Sequence, residues 1–586
     1  MCSSDLTDTL NMLNERFGMF VHFGVYSDLA GVYHDEKVKN AGEWIMRWKE
    51  IPLVEYTKFA FDFNPEPDWA TKLAKSAKKA GMRYAVLTTK HHDGYCLFKS
   101  EYTVFDHVHF HGRDLVKEFA DAMRAEGIKV GLYYSHTLDW AERDAAGQRN
   151  LAFKLGKTNN DNYWDFPRRE EKDFSRYFYG KCIPQVRELL TNYGDIFLIW
   201  FDFAHDITKE QSAELYDYVK KLQPNCLVNS RIAFDYGDYY SQGDNTIGSV
   251  PYNQPLECLV TLNDTWGYKK FDKNWKTASE MIEKLERCIG GQATLLLNVG
   301  PMGNGLLCPE TEEILDGISD WVNDYKEAIY NVKPTQLKTA FDWGYLSLSN
   351  DEKNMFVYLT DTEREKIVIE GINTCIKSVT EITGKELAYE YDGKVLTIDL
   401  KNLSDKKLPV LKVELSGEVK FTDKITQQGD VLSLNVYYAE KFAIEDGKIN
   451  KKDLVLVLNI YDEDYNSRGI EIERNGALNN WKTDKEFLTW TASISQDGEY
   501  SCQITTTGFK EKIDVKITVD GEERFASIEQ DKSFKTYKLS RTGSDNARYV
   551  FELGKFNLNK GEKNIKIERV GDGENLALTE VKFYKK

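Results

Sequence analysis

The sequence predicts an α/β fold, a (β/α)8-like TIM barrel followed by C-terminal antiparallel β-sandwich domains, and three observations carry that expectation. Short apolar runs alternate with amphipathic helical windows from Arg16 to about Tyr330, polar residues close those runs, and after Pro334 the texture changes to short segments separated by Asn, Asp and Gly turns. Alternation of this kind, sustained over roughly 300 residues, is the pattern of a parallel sheet wrapped by helices. The runs cover residues 18–23, 84–90, 130–135, 195–202, 226–230 and 293–298. Strands buried on both faces read as such continuous apolar stretches. Between them, residues 69–80, 114–126, 174–192, 208–222 and 278–288 place apolar side chains at helical spacing.

A doubly wound sheet is the competing arrangement, but it usually carries a glycine fingerprint after its first strand. Here Gly24 is followed by Val25-Tyr26-Ser27. The barrel makes its own demand, that polar residues ending successive strands converge at one mouth. Those residues are His22, His91 and His92, Tyr134 with Asp139, Asp202, Asn229 with Arg231, and Asn298. Past the barrel, segments such as 345–348, 356–359 and 395–398 read as strands of an antiparallel sandwich. The expected domains are 1–332 (barrel), 333–422 (β-sandwich) and 423–586 (a second β-rich domain, carbohydrate-binding-like).

Composition narrows the function. A net charge of −17 without a basic patch argues against nucleic-acid or anionic-membrane partners. No apolar run approaches membrane-spanning length, so membrane insertion is not expected. The nine cysteines form no CxxC pair, which argues against a zinc ribbon, and most read as small buried hydrophobes. The first residues, Met1 to Leu6, carry neither the charged nor the apolar region of a signal peptide. That points to a cytoplasmic home for the chain as written, and to export if the native N-terminus is missing. All nine histidines lie at or before His205, which assigns the chemistry to the front of the chain.

Asp202 is the first candidate for that chemistry. It closes the apolar run Ile196-Phe197-Leu198-Ile199-Trp200-Phe201, where α/β barrels keep their active sites. The competing role is a cap for the helix that begins near Thr208. Carboxylates, histidines, an arginine and aromatics, with no phosphate loop and no metal spacing, suit a sugar: aromatic faces stack on apolar sugar faces while His, Asn and Arg bond hydroxyls. Hydrolysis then needs two carboxyl groups, one ionised and one able to donate a proton.

Seven motifs in order carry a family resemblance: Arg16-Phe17-Gly18-Met19-Phe20-Val21-His22-Phe23-Gly24, Gly42-Glu43-Trp44, Lys90-His91-His92-Asp93-Gly94, Gly131-Leu132-Tyr133-Tyr134-Ser135, Trp200-Phe201-Asp202, Thr265-Trp266-Gly267-Tyr268 and Leu295-Leu296-Leu297-Asn298-Val299-Gly300-Pro301. This set resembles the retaining α-L-fucosidases of glycoside hydrolase family 29, over roughly residues 16–330. The resemblance implies a nucleophile at Asp202 and a fucose pocket lined by His22, Glu43, Trp44, His91, His92, Tyr134, Trp200, Arg231 and Trp266. It implies a fucosylated oligosaccharide or glycoconjugate as substrate and neither cofactor nor metal. The acid/base is expected at Glu257, in Leu256-Glu257-Cys258 where many members have Trp-Glu, with Asp244 as the runner-up. A narrow site for α-1,3/1,4-linked fucose on Lewis-type glycans and a broader α-1,2/1,6-tolerant one both stay open, as does the oligomeric state.

Competing readings accompany these residues. On a regular strand His91 and His92 face opposite sides, so one would pack into the wall. A metal-dependent barrel hydrolase would usually show a His-x-His or His-Glu-x-x-His spacing, and neither occurs at the mouth residues. The turn Gly300-Pro301-Met302-Gly303 lacks the Lys-Ser/Thr of a phosphate loop. His107, His109 and His111 read as surface or loop residues. Trp481, Trp490 and Tyr500 are a sugar-stacking platform or, preferably, sandwich core. A fucose-binding lectin on a hydrolase scaffold is the remaining alternative class.

Overall fold

Eight parallel strands form the first sheet: β1 (Phe17–Val21), β2 (Tyr84–Lys90), β3 (Lys129–Tyr134), β4 (Leu198–Phe201), β5 (Leu227–Val228), β6 (Tyr240–Ser241), β7 (Leu256–Thr261) and β8 (Ala293–Val299). Their order is β5-β4-β3-β2-β1-β8-β7-β6, and an isolated parallel bridge between Asn229 and Tyr239 joins the two ends. The computed structural model describes residues 12, 14–145, 160–234, 236–248, 255–404, 407–457, 467–473, 475–538 and 547–586. The first residues, parts of the excursions after β3 and β6, and most of 461–468, a polar stretch whose composition suits a linker, lie outside the described residues.

The strands form where the apolar runs place them, because a strand enclosed by helices buries every residue: β2 and β8 are buried along their whole length. Two strands carry no signal of that kind. β6 is two residues long, and the apolar run of β7 is interrupted by Glu257. The expected helices appear as Trp69–Lys79, Leu115–Ala125, Ile183–Asn192, Lys209–Leu222 and Ala278–Gly290. The window 174–192 is broken by a π-helical turn at Phe178–Cys182. Additional helices occupy Leu53–Asp62 and Pro309–Tyr325.

By internal packing the chain divides into two units, one holding residues 1–241, 254–281 and 294–323, the other 242–253, 282–293 and 324–586. Apart from its two short insertions the second unit is mostly antiparallel β, with parallel pairing of Ile425–Thr426 to Glu486–Ile494 and of Leu456–Val457 to Glu471–Glu473. It contains two hydrophobic clusters, one built from residues between Leu337 and Leu415, the other between Ile425 and Phe583. Trp481, Trp490 and Tyr500 belong to the latter and are at most 2 % exposed. They are core.

The histidine triplet corrects one expectation. His107–His111 is a short helix capped by Asp106, and His107 is fully buried, its Nδ1 3.0 Å from the Tyr95 hydroxyl. Burial pushes its pKa down to about 3, so the ring is neutral.

Candidate active site

Asp202 follows directly on β4 and is nearly buried. The capping role is filled by another residue: Thr208 caps the helix Lys209–Leu222 and forms a reciprocal capping box with Gln211. Asp202 is instead held at both oxygens. Arg231 donates to Oδ1 at 3.0 Å, and the Tyr133 hydroxyl donates to Oδ2 at 3.1 Å. His92 Nε2 stands 3.8 Å from Oδ2. The next residue, Phe203, has φ +56°, a costly conformation for a bulky aromatic. Its carbonyl accepts from Thr137 Oγ1, and its ring packs against His92 and Trp44.

The two adjacent histidines both reach the mouth. β2 ends at Lys90, and its pairing with β3 shifts register between Thr88 and Lys90, so regular alternation stops before His91. His91 stacks on Tyr133 at 5.6 Å and meets His22 edge-on at 5.7 Å. His92 Nδ1 lies 2.6 Å from Ser135 Oγ, whose own proton goes to the Leu138 carbonyl. The bond therefore runs from Nδ1–H to the serine, and the neutral ring presents Nε2 as an acceptor beside Asp202. Burial, then neighbouring positive groups, hold both histidines well below the usual imidazole range.

Opposite them, His22 Nδ1 is 2.6 Å from Asn298 Oδ1, and Asn298 Nδ2 donates to the Trp266 carbonyl at 2.7 Å. Trp266 covers His22 at 5.2 Å. Its loop is held by Glu43, whose Oε2 accepts from Thr265 Oγ1 and from the amides of Trp266 and Gly267. Glu43 Oε1 is buried with no partner among the described residues, an acceptor in reserve. Only glycine fits at 300, where an added Cβ would come within 2.8 Å of the Trp266 carbonyl oxygen. Trp44 packs on His92, Trp140 and Phe203. Trp200 stacks on Tyr133 at 5.6 Å and carries the Arg231 guanidinium over its ring at 4.8 Å.

Three expected residues lie elsewhere. Tyr134 points away from the mouth: its hydroxyl donates to Gln185 on the surrounding helix at 2.8 Å, and Lys90 Nζ sits over its ring. Tyr133, one residue earlier on β3, faces Asp202; the alternation of the strand puts the neighbours on opposite faces. Asp139 belongs to the same outer layer, a buried carboxylate 3.0 Å from both Lys90 Nζ and Lys181 Nζ. Glu257 is fully buried near the start of β7, its Oε2 accepting from Trp200 Nε1 at 2.7 Å and its Oε1 from the Tyr84 hydroxyl at 3.1 Å. Burial pushes it up to about 7 against the pull of those bonds. Asp244 is exposed, just past β6.

Among the described residues no group of three or more His, Cys, Asp or Glu is arranged to hold a metal ion.

The α-L-fucosidase family profile matches residues 8–327. The chain belongs to that family. Fucosidase relatives include a putative α-L-fucosidase of Caenorhabditis elegans, 25% identical over 68% of this chain and 89% of its own length, and the tissue α-L-fucosidase of Bos taurus, 27% identical over 70% and 87%. Among solved structures, the α-L-fucosidase of Vibrio sp. strain EJY3 covers 100% of this chain and 98% of its own at TM-score 0.80 and 23% identity, a likeness of fold. The α-L-fucosidase AlfC of Lactobacillus casei is 37% identical over 55% of this chain and 99% of its own, at TM-score 0.52. The fucosidase is thus a glycoside hydrolase with a TIM-like barrel and C-terminal antiparallel sheets.

Proposed function

We propose that this fucosidase is exo-acting and retaining, and that it removes terminal α-linked L-fucose through a covalent fucosyl-enzyme on Asp202. The observation that carries the reading is the double grip of Arg231 and Tyr133 on a carboxylate at a strand's C-terminal end, near His91 and His92, which burial keeps neutral. Both donors favour the ionised form that a nucleophile requires. A related GH29 enzyme of Bacteroides thetaiotaomicron, 23% identical, has been trapped as a covalent intermediate with 2-fluoro-fucosyl fluoride, and the same chemistry is proposed here. His22, His91, His92, Glu43 and Trp44 supply acceptors and walls for the ring hydroxyls, and Trp266 covers the apolar face.

For the second carboxyl the geometry favours Asp244 over Glu257. A proton donor must reach the leaving oxygen from the open side of the sugar. Glu257 is enclosed beneath Trp200 with both oxygens engaged, whereas Asp244, shortly after β6, is exposed. If Asp244 is the acid/base, its replacement by glycine costs about 10²–10⁴-fold on unactivated substrates, and with α-L-fucosyl fluoride azide restores turnover as α-fucosyl azide, attacking the fucosyl-enzyme from the face that water would use. A variant that azide leaves unrestored speaks against the assignment.

The test of the whole reading is release of fucose from 4-nitrophenyl α-L-fucoside by wild type and Asp202→Asn, with chelator present and the first anomer followed by NMR. Chelator-resistant, Asp202-dependent release of the α-anomer supports it. Release of the β-anomer contradicts retention, and an Asp202→Asn variant that binds and turns over like wild type contradicts the nucleophile. A panel of α-1,2, α-1,3/1,4 and α-1,6 fucosides then ranks the linkages.

A further inference from the structure

Beneath the mouth lies a polar layer that the proposed reaction leaves without a task. Glu257 on β7, Tyr84 at the start of β2 and Thr294 on β8 meet there, all buried, with the Tyr84 hydroxyl 3.1 Å from Glu257 and 3.5 Å from Thr294 Oγ1. A carboxyl group fully removed from water is costly unless each oxygen is satisfied. Here one of the satisfying donors, beside Tyr84 and Ser241, is the indole of Trp200, at 2.7 Å. A buried indole N–H needs an acceptor, and the Glu257 carboxyl supplies it.

Trp200 is also the shared support of the two groups that hold Asp202. Its ring stacks on Tyr133 at an interplanar angle of 18°, and the Arg231 guanidinium rests on it at 4.8 Å. Tyr133 and Arg231 donate to the two Asp202 oxygens. The indole therefore meets a cation at its face and a carboxyl oxygen at its N–H. Rotation of the ring about its side chain would move both Asp202 donors together.

We propose that Glu257 is a positioning residue for the fucosidase reaction: it fixes the Trp200 indole from below, and through Trp200 sets Arg231 and Tyr133 against the nucleophile. The proposal rests on the retaining-fucosidase reading. It assigns Glu257 no proton transfer to substrate, and the kinetics of the two roles differ. An acid/base matters in proportion to the leaving group's need for a proton, whereas a positioning residue matters equally for all leaving groups.

The experiment compares wild type, Glu257→Gln and Glu257→Ala on α-L-fucosyl fluoride, which departs without a proton, and on a fucosyl disaccharide, which does not. Gln keeps an acceptor for the indole, so it is expected to stay within about tenfold of wild type on both substrates. Ala leaves the indole unanchored, and kcat/KM is expected to fall roughly 100-fold on both, the cost of a displacement of about 1 Å at the reacting groups. Azide is expected to restore neither. Loss of kcat/KM confined to the disaccharide, with azide raising kcat on the fluoride by intercepting the fucosyl-enzyme, would overturn the proposal by making Glu257 the acid/base. Wild-type kinetics in Glu257→Ala would overturn it too.

Should Glu257→Ala fail to fold, the cycle of Glu257→Gln with Trp200→Phe decides. Coupled losses support the anchor, and losses that multiply independently contradict it. Inactivity of the wild type on both substrates would sink the fucosidase reading itself, and is seen before any variant is made.

Discussion

The barrel mouth and the C-terminal sandwich are both rich in buried aromatics, yet their polar atoms are spent differently. In the sandwich, Trp490 donates to the backbone carbonyl of Asn435, Trp481 to that of Glu486, and the Tyr500 hydroxyl contacts Gln427 and the Gln496 carbonyl. Each polar tip is satisfied locally, and each ring fills core. At the mouth the rings are linked to ionisable side chains: Trp200 to Glu257 and Arg231, and Tyr133 to Asp202. An aromatic residue is therefore informative about function by what its polar atom touches. Burial alone does not separate the two regions.

Five changes would break or sharpen this contrast. The largest effect is expected from Asp202→Asn, which should lower kcat by roughly 10⁴-fold or more while fucose binding, measured by calorimetry, and the melting temperature stay near wild type. In the sandwich, Trp490→Ala should do the reverse. Emptying that volume costs about 3–5 kcal/mol in denaturant unfolding of its unit, with kcat per folded molecule unchanged; a kinetic defect would give the sandwich aromatics a role the contrast denies them.

A pH effect comes next. Glu257 is pushed from its ordinary 4.5 up to about 7 by burial, so the fold keeps its proton over a range where the unfolded chain has lost it. Its contribution to stability is complete below 4.5, falls as the pH rises to about 7, and is flat above. Glu257→Gln removes that dependence, so its stability relative to wild type should rise by up to about 3 kcal/mol across the interval. Melting curves of the two proteins over that range check it, and a constant difference would place the ionised form in the fold. The smallest effects separate neighbours on β3. Tyr133→Phe removes a bond to a charged group and should lower kcat/KM by about tenfold; Tyr134→Phe should leave kinetics alone and cost about 1 kcal/mol of stability.

Much of this arrangement is legible in the sequence because burial writes it there. The apolar runs of β2, β3, β4 and β8 and the positions of His22, Asp202 and Asn298 at run ends follow from a sheet covered on both faces. The short strand β6 leaves too few residues for a period, and β7 is interrupted by Glu257. Facing is harder still. Tyr133 and Tyr134 are both fully buried, so composition does not separate the one that meets Asp202 from the one that meets Gln185; the phase of β3 decides, and its register comes from tertiary pairing. Glu257 shows the same limit, since an acid in the right motif reads as chemistry until its hydrogen bonds to Trp200 and Tyr84 place it a layer below.

The measurement that tests the central claim most directly is labelling with 2-deoxy-2-fluoro-α-L-fucosyl fluoride followed by peptide mapping. The account predicts one fluorofucosyl group per chain, attached to Asp202 in the peptide containing Leu198-Ile199-Trp200-Phe201-Asp202, and absent from Asp202→Asn. A label on any other carboxylate, or time-dependent inactivation that persists in Asp202→Asn, would contradict it.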